Sequence, residues 1–458
     1  MKATINIILI VLAIVACSSP SETMNNEHDV IVYGGTPAGI IAAVTAADHG
    51  CDVLFIEQKS VLGGMYTSGL NTAESEHMIN NVITGRARDF FITMGKLFYD
   101  SAYFQTFGNA RGLNFTAGDP AFFFESKHAK AVFNQMIGER NVDTLLNSRL
   151  TEVMTDEASI VSIVLNDNRE FKAKYFVDCS YEGDLMAKAG VSYTYGREPV
   201  DQYNESLAGI RLIDDTLFAR TVDENGNLLK WFNTYDTLIP GSGDKKVMNY
   251  NFRPTMTKDK NNMRPVTAPA GYDPEDFSLL ADFLQKNPET RLGQLIGVYP
   301  RGSGKYEFNN QQSALVSLGM FGGNTGYTEG TYETREKIYA EHEYWTKGYL
   351  HFLQSDPRVP KHLREETAQF GYAKDEFVHN DNFPYYLYIR EARRMISDLL
   401  QTQHDVSSNR TKEDAVFLGS HWVDCHHVQR IAISDSTFIN EGRIWEIVHK
   451  PFEISYRT

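Results

Sequence analysis

Apolar and polar residues follow two different periods near the beginning of the chain. The run "DVIVYG", residues 29–34, is apolar, β-branched and closed by glycine, which predicts a short buried strand. Residues 37–49 are rich in alanine with apolar positions at helical spacing, and Gly50 ends this predicted helix. The run "DVLFIE", ending at Glu57, predicts a second buried strand. Strand, glycine turn, helix and strand together predict a βαβ unit whose two strands are parallel.

The pattern changes farther along the chain. Residues 142–178 are short alternating segments separated by turn residues, which predicts an antiparallel meander followed by a buried strand. Residues 195–380 lack βα alternation and end in two predicted helices, "YETREKIYAEHEYWTKGYLHFLQ" and "PKHLREETAQFG". After Pro384, "YYLYIREARRMISDLLQTQ" predicts an amphipathic helix, because five residues share one helical face: Tyr388, Ala392, Met395, Ile396 and Leu399.

The turn between the first strand and the helix carries a candidate nucleotide site. Residues 34–39 match the dinucleotide fingerprint G-x-G-x-x-G except that Thr36 replaces the second glycine. The positive end of the helix would face a pyrophosphate, and Thr36 could add its N–H and hydroxyl. Glu57 follows Gly39 by 18 residues, the spacing of an acid that accepts hydrogen bonds from a ribose. The alternative is a tight strand-to-helix turn with a solvated glutamate.

The residues after Glu57 distinguish flavin from nicotinamide binding. "EQKSVLGGMYTSGLN" places Gly63–Gly64 where flavoproteins carry a glycine loop and NAD-binding units continue into a helix. Residues 29–70 resemble the amino-terminal part of the FAD-dependent oxidoreductases of the glutathione-reductase superfamily, in the group that also holds the flavin core of the heterodisulfide reductases. "FVDCSYEGDLMAKAG", from Phe176, resembles the strand of that group that ends in Asp-Ala-Thr-x-x-Gly-Asp-Leu.

This resemblance runs from residue 28 onward and implies an α/β fold class, a Rossmann-like FAD-binding domain of the glutathione-reductase type with an inserted α+β substrate domain. The implied FAD-binding parts are residues 28–194 and 381–458, and the implied insert is 195–380. The family continues beyond "FEISYRT" into a small-residue-rich stretch, so we expect the part over 381–458 to be incomplete. The implied cofactor is FAD, and the residues implied to bind it are Gly34, Gly35, Thr36, Ala38, Gly39, Glu57, Gly63, Gly64, Met65 and Asp178.

"GSHWVDCHHVQR" holds the strongest catalytic candidates. A histidine accepts a proton near neutral pH and an adjacent carboxylate can orient it, so the predicted catalytic residues are His421, Asp424, His426 and His427. Guanidinium and amide groups suit a polar substrate, so the predicted substrate-binding residues are Arg253, Arg301, Asn310 and Arg390. Packed histidines and internal ion pairs are the alternatives. The four cysteines form no C-x-x-C pair, which excludes iron–sulfur and zinc-ribbon sites, and we predict no metal.

A short apolar run precedes these segments. Residues 5–16 follow one basic residue, Lys2, and would rise only about 18 Å as a helix, so residues 1–17 are predicted to be a signal peptide. "IVAC" resembles a lipobox, which implies a lipid on Cys17 and a polar tether over 18–27. A plain secretory signal is the alternative. We expect a bacterial cell-envelope protein, lipid-anchored to the membrane and facing the periplasm or the surface. The net charge of -15 argues against a nucleic-acid partner.

These features predict an FAD-dependent oxidoreductase that transfers a hydride from a C–H of a small polar metabolite, a sugar or a hydroxy acid, to flavin N5. One histidine of the 421–427 cluster would act as the base. The expected partners are the small-molecule substrate and an electron acceptor that the sequence does not identify. One alternative is a non-catalytic, surface-anchored binding protein on a flavoprotein fold. The other is an NAD(P)-dependent dehydrogenase, which the Gly63–Gly64 loop disfavours.

Overall fold

The architecture comes from a computed structural model that describes residues 25–74, 82–108, 115–212, 216–235, 238–408 and 410–458. Residues 1–17, with Cys17, and residues 18–24 of the predicted tether lie outside the described residues. The strands of the described residues are β1 (Glu27–Tyr33), β2 (Val53–Ile56), β3 (Val142–Leu145), β4 (Leu150–Asp156), β5 (Ser159–Leu165), β6 (Glu170–Asp178), β7 (Tyr193–Thr194), β8 (Phe232–Thr234), β9 (Thr255–Thr257), β10 (Met263–Arg264), β11 (Ile296–Gly302), β12 (Lys305–Asn310), β13 (Gly371–Ala373), β14 (Arg394–Met395), β15 (Ala415–Gly419), β16 (Val423–Cys425), β17 (Gln429–Ser434), β18 (Thr437–Glu441), β19 (Ile444–Glu446) and β20 (Phe452–Ser455).

The α-helices of the same ranges are α1 (Pro37–Asp48), α2 (Gly85–Phe98), α3 (Ser101–Tyr103), α4 (Ser126–Gly138), α5 (Asp184–Lys188), α6 (Val200–Tyr203), α7 (Ser278–Lys286), α8 (Tyr332–Ser355), α9 (Lys361–Thr367) and α10 (Gln403–Ser408). Short 3₁₀ segments cover Gly64–Thr67, Pro274–Phe277 and Leu292–Gln294, and Phe104–Gly108 is a π-helical turn. Across the described ranges, no helix has both the length and the apolar character needed to cross a bilayer.

A six-stranded sheet in the order β3-β2-β1-β6-β5-β4 carries the predicted βαβ unit. β1 runs parallel to β2, with Val30 opposite Val53, and parallel to β6. α1 connects β1 to β2, so the strand, helix and strand predicted over residues 29–57 are confirmed. Helix and parallel strands arranged in this way form a Rossmann-like α/β fold.

The strands of this sheet are apolar on both faces. Val32 of β1 packs with Val44 of α1 on one face. Ile31, its neighbour in sequence, packs with Phe171 of β6 on the other face. Successive strand residues point to opposite faces, so a strand covered on both sides becomes a continuous apolar run. This explains why "DVIVYG" does not alternate between apolar and polar residues.

The predicted antiparallel meander over 142–178 needs one correction. β3 pairs in parallel with β2, with Val142 opposite Val53, at the edge of the sheet away from β6. Within the six-stranded sheet, only β4, β5 and β6 form antiparallel pairs. The physical reason is the helix α4, which precedes β3 and carries the chain back over the sheet, so that the next strand enters parallel to β2.

A second, five-stranded antiparallel sheet in the order β10-β13-β9-β12-β11 lies within the predicted insert. The long helix α8 contributes Trp345, Tyr349 and Phe352 to the apolar core beside this sheet, and α7 contributes Leu280. The two helices predicted near the end of the insert are confirmed as α8 and α9. Farther along, β15 pairs with β20, β16 with β19, and β17 with both β18 and β8.

The amphipathic helix predicted after Pro384 is wrong, because residues 384–402 are extended or irregular. Their backbone groups bond to distant segments, as where the Tyr388 N–H donates to the Asn251 carbonyl at 3.1 Å. Met395, on the face predicted to be buried, is 40% exposed and lies in the two-stranded pair of β14 with β7. Pairing with other parts of the chain outweighs local helix propensity here.

Candidate functional site

The turn from β1 into α1 requires glycine at two positions. Gly34 has φ of +106°, and a Cβ there would lie 2.4 Å from the backbone N of Ser180. A Cβ on Gly39 would lie 2.0 Å from the Gly34 carbonyl oxygen. Glycine therefore lets β1, β6 and α1 approach closely. The first turn of α1, which includes the exposed Ala38, has N–H groups without partners inside the helix, and these suit a phosphate.

The hydroxyl of Thr36 has a different role from the predicted one. It accepts a hydrogen bond from the Gly39 N–H at 3.3 Å, which makes Thr36 the N-cap of α1. It also donates to the Cys179 carbonyl at 2.8 Å, at the end of β6. The hydroxyl is thus used inside the turn, and the backbone N–H of Thr36 remains as its group for a pyrophosphate.

Glu57 lies at the end of β2 against the glycine turn. Its carboxylate accepts hydrogen bonds from the Gly35 N–H at 2.5 Å and the Lys59 N–H at 2.7 Å. The side chain is buried, and burial raises the pKa of Glu57 to about 7 although both N–H groups act to lower it. The acid predicted from its spacing therefore stands beside the turn, buried and hydrogen-bonded to it, and its contact with a ribose stays a prediction.

The Gly63–Gly64 loop is tied to the same turn. The Gly63 N–H donates to the Gly35 carbonyl at 2.6 Å, and both loop glycines have positive φ, +101° and +51°. The next residue, Met65, is buried, and its N–H donates to the Tyr181 hydroxyl at 2.9 Å. Two segments that the sequence separates by almost thirty residues thus form one surface at the carboxyl ends of β1 and β2.

The side chain of Asp178, at the end of β6, stabilises the turn that follows this strand. Its carboxylate accepts from the Ser180 N–H and from the Met186 N–H, both at 2.9 Å. Burial raises the pKa of Asp178 in spite of these bonds. The structure therefore gives Asp178 a role in positioning the chain after β6, with both oxygens engaged there.

These groups fit the adenosine diphosphate half of a flavin cofactor. The helix end and glycine turn suit a pyrophosphate, and Glu57 suits ribose hydroxyls. Tyr181 and Tyr386 close the space beside the turn to about 10 Å³. As the two tyrosine side chains lie in this structure, the space is too small for a dinucleotide.

A second site is a cavity of about 400 Å³, called the polar cavity below. It is lined by Thr72, Glu74, Arg253, Tyr299, Arg301, Asn309, Asn310, Gln311, Gln312, Ser420, His421, Trp422, Asp424, His426, Arg443 and Trp445. Strands of the five-stranded sheet, the segment after the Gly63–Gly64 loop and the chain around β16 and β19 meet here. Six residues predicted from the sequence come together in it: Arg253, Arg301, Asn310, His421, Asp424 and His426. Its volume falls in the range of ligand pockets, about 300–1,000 Å³.

One wall of the polar cavity is a buried ion cluster centred on Glu307. Glu307 is fully buried and accepts from Arg253 Nε at 2.5 Å and from Arg301 Nε at 2.8 Å. Burial acts to raise the pKa of Glu307, but the two guanidiniums outweigh it and hold the pKa below its usual range. Arg253 also donates to Glu74 at 3.0 Å. The sequence analysis missed Glu307, whose signal is an acid between two aromatic residues of a strand, "YEF".

Side-chain amides contact both ring nitrogens of His426. The Asn310 Oδ1 accepts from the Gly319 N–H at 2.9 Å, so its Nδ2 faces His426 Nδ1 at 3.0 Å. Gln312 Nε2 lies 3.2 Å from His426 Nε2 and donates to Asp424 at 2.6 Å, and an oxygen of Asp424 lies 3.7 Å from the same His426 nitrogen. Burial, with Arg390 adding to it, lowers the pKa of His426 to about 3. His426 is thus neutral at neutral pH and a weak base.

His421 has the opposite arrangement. Its Nδ1 lies 2.8 Å from the Trp422 carbonyl oxygen, which can only accept, so Nδ1 carries the proton and Nε2 the lone pair. The side chain is exposed at the polar cavity. His427 lies outside the lining, where its buried ring packs against Phe321 with ring centroids 5.0 Å apart.

Arg390 lies behind the polar cavity and does not line it. Its Nε donates to the Asn249 carbonyl at 3.0 Å, Nη2 bonds to the Asn251 side chain, and the guanidinium stacks on Tyr388 at 4.2 Å. Burial lowers the pKa of Arg390, and Arg253 adds to this effect. Arg390 therefore acts on the cavity through its charge.

The sheet order, the glycine turn and the acid beside it define a flavoprotein with a Rossmann-like dinucleotide-binding domain. The profile of the family described as FAD dependent oxidoreductase matches residues 29–458. The chain therefore belongs to the family of FAD dependent oxidoreductases, and FAD is its cofactor.

Curated relatives match shorter parts of the chain. The digeranylgeranylglycerophospholipid reductase of Methanocella arvoryzae is 52% identical over 40 residues, which cover 9% of this chain and 10% of that protein. The fumarate reductase (cytochrome) of Shewanella frigidimarina is 25% identical over 227 residues, 42% of this chain and 37% of that protein. Each match spans less than half of the relative. Among solved structures, the L-proline dehydrogenase from P. horikoshii has a TM-score of 0.28 and 16% identity over 38% of this chain and 59% of that chain.

The buried carboxyl of Glu57 predicts a pH-dependent stability of the protein without flavin. A pKa raised from 4.5 to about 7 means that stability is fully present below about pH 4.5 and is lost as pH rises through about 7. The variant Glu57→Gln has no titratable group at this position. Its free energy of unfolding relative to that of wild type should therefore rise by about 2–3 kcal/mol from about pH 5 to about pH 8. Urea denaturation of both proteins at the two pH values measures this, and parallel pH profiles would contradict it.

Proposed function

We propose that this FAD-dependent oxidoreductase acts on a small polar metabolite, a sugar or a hydroxy acid, that binds in the polar cavity and loses a hydride from a C–H bond. FAD, held as in the glutathione-reductase type, would supply the redox chemistry as the hydride acceptor. The observation that carries the proposal is the convergence of predicted cationic, amide and histidine side chains, distant in sequence, on one cavity.

A continuous segment leads from the cofactor turn to the polar cavity, which supports this assignment. The 3₁₀ segment Gly64–Thr67 begins at the glycine loop, and the chain continues to Thr72 and Glu74 in the cavity lining. Along the way the Asn71 N–H donates to Glu307 at 3.3 Å. A substrate in the polar cavity thus lies against the same segment that forms the cofactor surface.

We assign different proton roles to the two histidines of the polar cavity. Oxidation of an alcohol carbon to a carbonyl releases a hydride from carbon and a proton from oxygen. Nε2 of His421 carries a lone pair and takes this proton. His426 stays neutral and contacts the substrate oxygen without taking its proton, and Asp424 lies beside its Nε2.

An anaerobic titration of the FAD-loaded protein with sugars and hydroxy acids tests the proposed function. A substrate should bleach the visible flavin band, and the oxidised product should appear in equal amount. Binding of these compounds without any bleaching would overturn the proposal and favour a binding protein on a flavoprotein fold.

Replacement of His421 by asparagine should lower kcat by about 10²- to 10⁴-fold, because the proton acceptor is removed. Flavin content should remain that of wild type. His49→Asn changes an exposed histidine at the end of α1 and serves as the control, with no expected effect on kcat. An unchanged kcat in His421→Asn would argue against this role.

The location of the protein is likewise a proposal, which rests on the lipobox-like residues before Cys17. We propose that the protein is anchored to the bacterial cell envelope through a lipid on this cysteine. Cys17→Ser should move the protein from the membrane fraction to the soluble fraction of cells, as read by immunoblotting. Retention of the variant in the membrane fraction would count against the anchor.

A further inference from the structure

The charges around the polar cavity do not balance. Four guanidiniums line it or lie directly behind it, those of Arg253, Arg301, Arg390 and Arg443. Three carboxylates face them, those of Glu74, Glu307 and Asp424. The imidazole of His426, which also lines the cavity, is neutral. The site therefore carries an excess of one positive charge.

The excess positive charge arises because two of the four arginines form no ion pair with a carboxylate of the described residues. Arg253 and Arg301 share Glu307, and Arg253 also pairs with Glu74. Within the described part of the chain, neither Arg390 nor Arg443 has a carboxylate within 4.0 Å, the limit for an ion pair. Arg390 is held by amide and carbonyl oxygens, whereas Arg443 lines the cavity and faces its interior space. A guanidinium in this position suits one carboxylate.

Unpaired polar atoms also gather in the polar cavity. Three buried atoms in its lining have no hydrogen-bond partner among the described residues: Gln312 Oε1, Ser420 Oγ and Arg443 Nε. Ser420 is only 4% exposed. The first atom needs a donor, the last needs an acceptor, and the serine hydroxyl takes either. Buried polar groups are nearly always paired, and several hydroxyls on one ligand would satisfy this mixed set.

The rim of the polar cavity offers an aromatic surface. Trp422 and Trp445 meet edge to face with ring centroids 5.0 Å apart, and Trp445 is 45% exposed. An exposed tryptophan face beside a polar cavity suits the C–H face of a ring whose hydroxyls point to the sides. A small open-chain hydroxy acid would leave this surface uncovered.

We propose that the ligand of the polar cavity is a sugar acid, a polyhydroxylated ring with a single carboxylate that pairs with Arg443. Gln312 and Ser420 bind its hydroxyls, and the Trp422–Trp445 pair contacts its ring. This inference rests on the proposed function in taking the polar cavity as the substrate site, and it narrows the class of substrate.

Measurements of ligand binding, which do not depend on turnover, test the inference. The FAD-loaded protein is titrated by calorimetry, and by quenching of tryptophan fluorescence, with glucuronate, galacturonate and mannuronate. The methyl glycoside of the matching neutral hexose, which has CH2OH in place of the carboxylate, tests the carboxylate, and lactate tests the ring. At least one sugar acid should bind about tenfold or more tightly than this neutral glycoside and than lactate. Equal affinity for the neutral glycoside, equal affinity for lactate, or no binding by any sugar acid would each overturn the inference.

Arg443→Met provides the matched variant. It should lose the preference for the sugar acid and keep the affinity of wild type for the neutral glycoside, which also shows that the variant folds. Arg443→Lys keeps the charge and should retain part of the preference. Arg264→Met changes an exposed ion pair with Asp381 and should bind as wild type does. A preference that survives in Arg443→Met would overturn the assignment of the carboxylate.

The two proposals fail in different ways. Tight binding of a sugar acid with no bleaching of flavin under anaerobic conditions would contradict the proposed function and support the ligand assignment. Bleaching by a neutral sugar or by a simple hydroxy acid alone would keep the proposed function and remove the ligand assignment.

Discussion

Replacement of Glu307 by glutamine should lower the free energy of unfolding by about 3–5 kcal/mol, the cost of leaving buried charges without their partner. Glu307 is fully buried and binds Arg253 and Arg301, whose side chains are only 3% and 10% exposed. Glutamine keeps the shape of the side chain but presents no negative charge. Arg253 would then keep Glu74 alone, and Arg301 would have no carboxylate partner among the described residues. Urea denaturation near neutral pH measures the loss.

Glu275→Gln is the control for this experiment. Glu275 also pairs with an arginine, Arg358, but its side chain is 64% exposed. Exposed ion pairs contribute little, so the free energy of unfolding should change by less than about 1 kcal/mol. Similar losses in the two variants would contradict the view that burial makes the Glu307 cluster costly to break.

Replacement of Gly39 by alanine should abolish FAD binding and lower stability by at least about 1–3 kcal/mol, the range for overpacked positions. A Cβ at this position would lie 2.0 Å from the Gly34 carbonyl oxygen, which is backbone and cannot move aside as a side chain does. The turn must open, and the N–H groups at the start of α1 lose their alignment. The ratio of flavin to protein absorbance after reconstitution measures the effect.

Gly138→Ala is the matched control, because a Cβ there has no neighbour within 4 Å and Gly138 lies at the end of α4. This variant should bind FAD as wild type does. Full flavin content in Gly39→Ala would show that the close approach of α1 to β1 is not required for the cofactor.

The part of the fold that the sequence predicted is the part set by local interactions. β1, α1 and β2 follow from hydrophobic period and from glycines at a turn, so their prediction needed no knowledge of distant residues. Residues 384–402 show the opposite case. Their apolar spacing suits a helix, but the backbone pairs with segments far away in the sequence, as at Asn251. The direction of β3 likewise depends on a segment far away in the sequence, because β3 pairs in parallel with β2.

The sequence predicted which residue types form the candidate site, but it did not predict which of them pair with each other. Arg253, Arg301 and His426 were identifiable because residue types of this kind bind polar ligands and move protons. Glu307 received no role, because nothing local shows that two arginines share it. The ring nitrogens of His426 contact the amides of Asn310, which the Gly319 N–H orients, and of Gln312. Such assignments need the folded chain.

The segment from Gly63 to Glu74 has a thermodynamic consequence. It bonds to the cofactor turn through the Gly63 N–H, and it contributes Thr72 and Glu74 to the polar cavity. Two ligands that contact one segment are linked, and linkage is reciprocal. If bound FAD changes the affinity of the polar cavity for its ligand by some factor, the bound ligand changes the affinity of the protein for FAD by the same factor. Retention of the flavin is therefore also a measure of what the polar cavity holds.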